Sequence, residues 1–147
     1  GPDAQSVDPD LDVVTMAVKV PETLAHLHYW VVEMTRPASK EEVLDAFSAS
    51  SRIKFIRYSD GLSALNTVKE FMSDAGRPRA DLYEVALWED MLKVQGNELF
   101  YAYMVDNQAI VVPETIDAIR ALTQAESEAQ ASIARTDAAM GIGKLPR

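Results

Sequence analysis

The chain has 147 residues, 48% of them hydrophobic, enough for one domain that buries roughly 70% of the surface its unfolded form would expose. Its 23 acidic against 14 basic side chains leave a formal charge of -9, which argues against a nucleic-acid partner, because displacing counterions needs clustered Lys and Arg. There is no cysteine, so disulfides, thiolate metal sites and a cysteine nucleophile within this chain are excluded.

Leu11 to Val20 alternates, with Val14, Met16, Val18 and Val20 on one side and Val13, Thr15, Ala17 and Lys19 on the other, which predicts a strand with one apolar face. Pro21-Glu22 interrupts it. Thr23 to Thr35 then predicts a second, longer strand from its β-branched and aromatic run, and the two are expected to neighbour each other antiparallel. Ser39 and Glu42 have the spacing of a capping box, followed by the apolar stripe Val43, Leu44 and Phe47, so a helix starts here. Ile53 to Tyr58 predicts a strand and Ser59-Asp60-Gly61 a turn into a second helix. Leu62, Leu65, Val68, Met72 and Ala75 form its stripe, and Gly76 ends it.

Tyr83 to Trp88, Met91 to Val94 and Glu98 to Val105 predict three more strands in a meander, the last two joined through Gln95-Gly96-Asn97. Pro113 opens a helix carrying Ile116, Ile119 and Leu122, and the Ala-rich stretch from Glu126 to Met140 continues helical up to Gly141-Ile142-Gly143. The order β-β-α-β-α-β-β-β-α-α predicts an α+β domain, helices packed on one face of a largely antiparallel or mixed sheet. The other face is then free to meet a second domain or subunit. No glycine-rich phosphate loop follows a strand, so no dinucleotide fold is contained here. No apolar run approaches the roughly 20 residues needed to cross a bilayer, and the acidic, polar N-terminus differs from a signal peptide, so a soluble cytoplasmic protein is expected. Gly1-Pro2 reads either as a protease-cleavage scar or as native sequence.

His26 and His28 are the two histidines, and the period of a strand puts them on one face with Leu24, Trp30, Val32 and Met34. Such a pair can ligate a metal with a third donor, act as an acid/base residue with a neighbour that orients it, or pack structurally. Thr15 and Lys19 fall on one side of the first strand, roughly 13 Å apart along it. A lysine there suits an anionic ligand or simply a solvated sheet face. Arg77-Pro78-Arg79-Ala80-Asp81 is a basic loop whose arginines pair with interface carboxylates or with helix carbonyls. Asp106-Asn107-Gln108 closes the last strand with ordinary turn residues, and Tyr101 and Tyr103 read as core or interface.

Four separated segments carry a resemblance: Thr15 to Pro21, Ala25-His26-Leu27-His28, Gly76 to Val85, and Val111-Val112-Pro113-Glu114 with Asp117 to Ala121. In order and spacing they resemble the C-terminal half of archaeal-type phosphorylating glyceraldehyde-3-phosphate dehydrogenases. The resemblance implies one catalytic domain over 1–147, without the N-terminal NAD(P)-binding domain that supplies the nucleophilic cysteine and the glycine-rich loop. It implies oxidation of D-glyceraldehyde 3-phosphate with NAD or NADP and inorganic phosphate. His26 is then the base, with His28 second; Lys19 and Thr15 bind phosphate. Asn107 stands where archaeal relatives usually carry a glutamine near the nicotinamide, and no metal is implied. A homotetramer or homodimer, and no activity from this chain alone, are further implications. The alternative expectation is a non-catalytic, self-associating α+β interaction domain.

Overall fold

The computed structural model describes residues 2–22 and 24–143. A single helical turn, α1 (Pro2–Gln5), is followed by extended chain without regular structure up to β1 (Ala25–Glu33). The strand expected over 11–20 does not form: Val14, Met16 and Val18 are 90%, 97% and 84% exposed. Alternation sorts side chains onto two faces only when a neighbouring strand accepts the backbone, and no strand among the described residues pairs with this segment. Thr23, the first residue of the second expected strand, and Gly1 of the possible scar lie outside the described residues.

The remaining elements follow the sequence closely. Helix α2 (Lys40–Ser48) begins with the expected box: the Ser39 hydroxyl accepts from Glu42 N at 3.1 Å and Glu42 Oε2 accepts from Ser39 N at 2.7 Å. Strand β2 (Ile53–Ile56) leads through a 3₁₀ turn closed by Gly61 into α3 (Leu65–Asp74). After α3, Gly76 takes φ +79°, letting Arg77 N reach Met72 O at 3.0 Å and Gly76 N reach Ser73 O at 2.9 Å. Then come β3 (Val85–Trp88), β4 (Lys93–Gln95), β5 (Glu98–Asp106), α4 (Val112–Leu122) and α5 (Ala129–Met140).

The α+β class with a mixed sheet is borne out, in the order β1-β5-β3-β2 with β4 also on β5. β1 pairs antiparallel along the whole of β5, from Ala25 opposite Asp106 to Glu33 opposite Glu98, so its partner is the last strand rather than the segment before it. β3 meets β5 only at Ala86–Met104 and Leu87–Tyr103, while β4 takes the stretch Glu98 to Phe100; the simple meander is therefore replaced by two short strands sharing one long one. β2 runs parallel to β3.

Directly opposed residues share a face. On one face Val43 of α2 closes over Leu87, Leu99, Val32 and Tyr101. On the other, Val68 and Met72 of α3 pack with Ala86, Trp88 and Met104. The two helices thus divide between the faces. Helices α4 and α5 are tied to the start of β2 by Arg52, which donates to Glu114 at 2.8 Å, Asp117 at 2.5 Å and Asp137 at 3.0 Å.

Candidate functional site

Strand period and the β1–β5 register put His26, His28 and Trp30 of β1 beside Val105, Tyr103 and Tyr101 of β5. The His28 imidazole stacks on the Tyr103 ring, centroids 4.9 Å apart and planes 11° apart. His26 stands edge-on to His28 at 5.8 Å and 64°. Trp30 Nε1 donates to Tyr103 Oη at 3.1 Å, and its indole stacks on Tyr101 at 6.4 Å. Tyr101 in turn meets Phe47 of α2 at 5.4 Å. A row of rings therefore runs from the core under α2 to His26 at the open end of the sheet.

Exposure rises along that row: Trp30 and His28 are half-buried and His26 is exposed. Burial, reinforced by the positive charge His26 carries when protonated, holds His28 below the ordinary histidine pKa. Burial, then the neighbouring Tyr103, raises Tyr101. The half-buried ring is thus biased to the neutral form while its exposed neighbour faces outward, an arrangement suited to one imidazole reacting and the other orienting it. Among the described residues no group of three or more His, Cys, Asp or Glu could hold a metal ion.

Asn107 lies one residue past β5, exposed, and its backbone N–H donates to Leu24 O at 2.9 Å, two residues before His26. Asp106 beneath it is 1% exposed and accepts from Lys69 of α3 and, at 2.9 Å each, from Gln108 N and Ala109 N. Burial by itself would raise the Asp106 carboxyl, but these donors outweigh it and hold it below the usual carboxylate value. Sequence reasoning put the two histidines on one face with Trp30, and the resemblance singled out Asn107; that Asn107 shares their end of the sheet, that Tyr103 stacks on His28 and that Lys69 lies beneath went unforeseen. A lysine inside the apolar stripe of α3 was the one available signal for Lys69.

Thr15 and Lys19 lie exposed in the extended N-terminal segment, which the sheet does not hold against the histidines. The basic loop splits: Arg77 is turned inward, donating to Glu84 at 2.8 Å and to Gly141 O at 3.2 Å with its guanidinium 4.9 Å over Tyr83, while Arg79 stays exposed and pairs with Asp81 at 3.0 Å. A cavity of about 610 Å³ lies between the start of β2 and helices α4 and α5, lined by Ile53, Val85 and Ile133. Neither histidine nor their ring partners Tyr103 and Trp30 line it.

Residues 1–91 match the family model described as glyceraldehyde 3-phosphate dehydrogenase, C-terminal domain. The chain belongs to that family. Thr15, Lys19, His26 and His28 fall within the matched stretch, and Asn107 lies beyond it. The glyceraldehyde-3-phosphate dehydrogenase of Methanopyrus kandleri is 42% identical over 146 residues, covering 99% of this chain and 42% of that protein. Those of Methanobrevibacter smithii and Archaeoglobus fulgidus are each 44% identical, over 97% and 99% of this chain and 42% of each relative. The chain thus spans about two fifths of the length of these archaeal dehydrogenases. As in the dehydrogenase C-terminal domain generally, the architecture is a mixed sheet with α-helices, and no helix among the described residues is long and apolar enough to cross a membrane.

Proposed function

We propose that this chain is the C-terminal catalytic domain, over 1–147, of a cytoplasmic phosphorylating glyceraldehyde-3-phosphate dehydrogenase, working with an N-terminal NAD(P)-binding domain outside it. The observation that supports this most is the pairing of an exposed His26 with a ring-stacked His28, two ladder positions from Asn107, in a chain of this family.

The residues here fit only the reactive end of a nicotinamide cofactor. No glycine-rich loop follows a strand, whereas the exposed Asn107 carboxamide offers the donor and acceptor that a nicotinamide carboxamide would pair with. Bound NAD or NADP supplies the hydride acceptor. A thiolate from outside this cysteine-free chain adds to the aldehyde of D-glyceraldehyde 3-phosphate. His26 takes up the hydroxyl proton as the hydride leaves, and His28 holds that imidazole edge-on. Inorganic phosphate then cleaves the resulting thioester, releasing 1,3-bisphosphoglycerate and the thiolate. Lys19, a compact ammonium, and the Thr15 hydroxyl bind phosphate when the N-terminal segment is folded against its neighbours.

In the full-length protein, His26→Ala should lower kcat by about 10²-fold or more, the ordinary worth of a positioned base, and more than His28→Ala does. Equal losses, or near-native turnover of His26→Ala, would defeat this assignment. This chain alone should show no NAD(P)-dependent aldehyde oxidation.

A second reading, a non-catalytic self-associating domain, draws on the face of β1 opposite the histidines, where Tyr29 and Val31 are 69% and 65% exposed beside Leu27. The same apolar strip suits the contact of a homodimer or homotetramer of the enzyme, so the two readings separate on activity of the full-length protein.

A further inference from the structure

We propose that the buried Lys69–Asp106 pair is a latch that holds the turn 106–109 so that Asn107 stands at the His26 end of the sheet, making Lys69 and Asp106 positioning residues for the reaction. This rests on the dehydrogenase reading above.

Asp106 ends β5 opposite Ala25, with its side chain turned to the face covered by α3, away from the histidines. One carboxylate oxygen accepts from Gln108 N and Ala109 N, closing a turn across Asn107. The other accepts from Lys69, whose ammonium is largely buried with it. A carboxylate this deeply enclosed needs a charge partner, and the only cation it contacts among the described residues is Lys69. The turn is therefore fastened to α3 from below, while Asn107 N is fastened to Leu24 O at the entry to β1. Asn107 and Gln108 are exposed and Ile110 N reaches Asp106 O at 3.2 Å, so each further bond of this turn returns to Asp106 itself or to its neighbours. Two clamps, one to α3 and one to the entry of β1, hold the exposed Asn107 at the ladder end two positions from His26. A turn that merely ended a strand would need only the Asx bonds; a buried lysine crossing from a helix adds rigidity at one residue of the candidate site.

The test is a cycle in the full-length protein. Lys69→Met and Asp106→Asn should each lower kcat by about 10-fold, with KM for the aldehyde within about 2-fold, and Lys69→Arg should restore most of the loss. In an Asn107→Ala background, Lys69→Met should cost less than about 2-fold more, because the latch acts through Asn107. Independently of activity, amide hydrogen exchange at 107–110 should speed up by about 10-fold in Lys69→Met while the β1 strand is unchanged. Losses that multiply in the double variant, or unchanged exchange at 107–110, would show a purely structural pair and overturn the proposal. If Lys69→Met fails to fold, Asp106→Asn, which keeps the one oxygen that accepts from both turn amides, carries the same comparison. An inactive wild type would sink the dehydrogenase reading and this one with it; an active wild type with multiplying losses sinks the latch alone.

Discussion

The His28 imidazole lies flat on the Tyr103 ring, 4.9 Å between centroids and 11° between planes, directly across the β1–β5 ladder. This contact makes one of the two histidines a half-buried, neutral-biased ring and leaves the other free.

Removing the Tyr103 ring should raise the pKa of His28 toward the ordinary value. Burial is the first cause of its lowering, with His26 second, and Tyr103→Leu relieves the first. Because the folded value is depressed, the unfolded chain binds more protons between that value and the ordinary 6.5; stability therefore rises with pH through this window and falls on acidification. Titration of the two histidine ring signals by NMR, assigned with His26→Gln, should show the upward shift in Tyr103→Leu and its absence in Tyr103→Phe, which keeps the stack.

Arg52 is the tie between the sheet and both C-terminal helices. Its side chain and those of Asp117 and Asp137 are 13%, 16% and 10% exposed. Burial pushes the Asp117 carboxyl up, but hydrogen bonds from Ser132, Thr136 and Arg52 outweigh it and bring it down to about 2. Arg52→Met takes a cation from two largely buried carboxylates, but Asp117 keeps Arg120, Ser132 and Thr136 and Asp137 keeps Ser51, so the cost is about 3 kcal/mol, the low end for breaking a buried pair, and thermal unfolding should drop by roughly 6–12 °C. Glu114, 59% exposed, contributes far less, and Glu114→Gln should shift the midpoint by no more than a few degrees. Comparable shifts for the two variants would contradict this hierarchy.

Lys19→Ala in the full-length protein should raise KM for D-glyceraldehyde 3-phosphate by about 10-fold or more and leave KM for unphosphorylated glyceraldehyde unchanged, since only the phosphate needs the ammonium. Equal changes for both substrates would remove Lys19 from the phosphate site.

Tyr29→Glu and Val31→Glu place charge on the exposed strip of an edge strand. Light scattering should then report a smaller assembly than the unsubstituted full-length protein forms, because burying an unpaired carboxylate opposes association. An unchanged mass would place the subunit contact elsewhere.

Much of the local structure was written in local patterns. The Ser39–Glu42 box, the stripe of α3 with Gly76 behind it and the long runs of β1 and β5 each depend on residues a few positions apart, and each formed. The stretch from Leu11 to Val20 shows the limit: its alternation is as clear as that of β1, yet no strand among the described residues pairs with it. Alternation records which side chains would share a face, whereas a strand exists only where another backbone closes the ladder.

The candidate site divides along the same line. From the sequence alone came two histidines on one side of one strand, an amide at the end of another, and the absence of a cysteine or phosphate loop to complete the chemistry. Only the tertiary structure decided that β1 lies along β5, because pairing across roughly 65 to 80 residues reflects long-range burial rather than local propensity. That choice set His28 on Tyr103, left His26 exposed, and brought Asn107, held over Asp106 and Lys69, to the same end of the sheet.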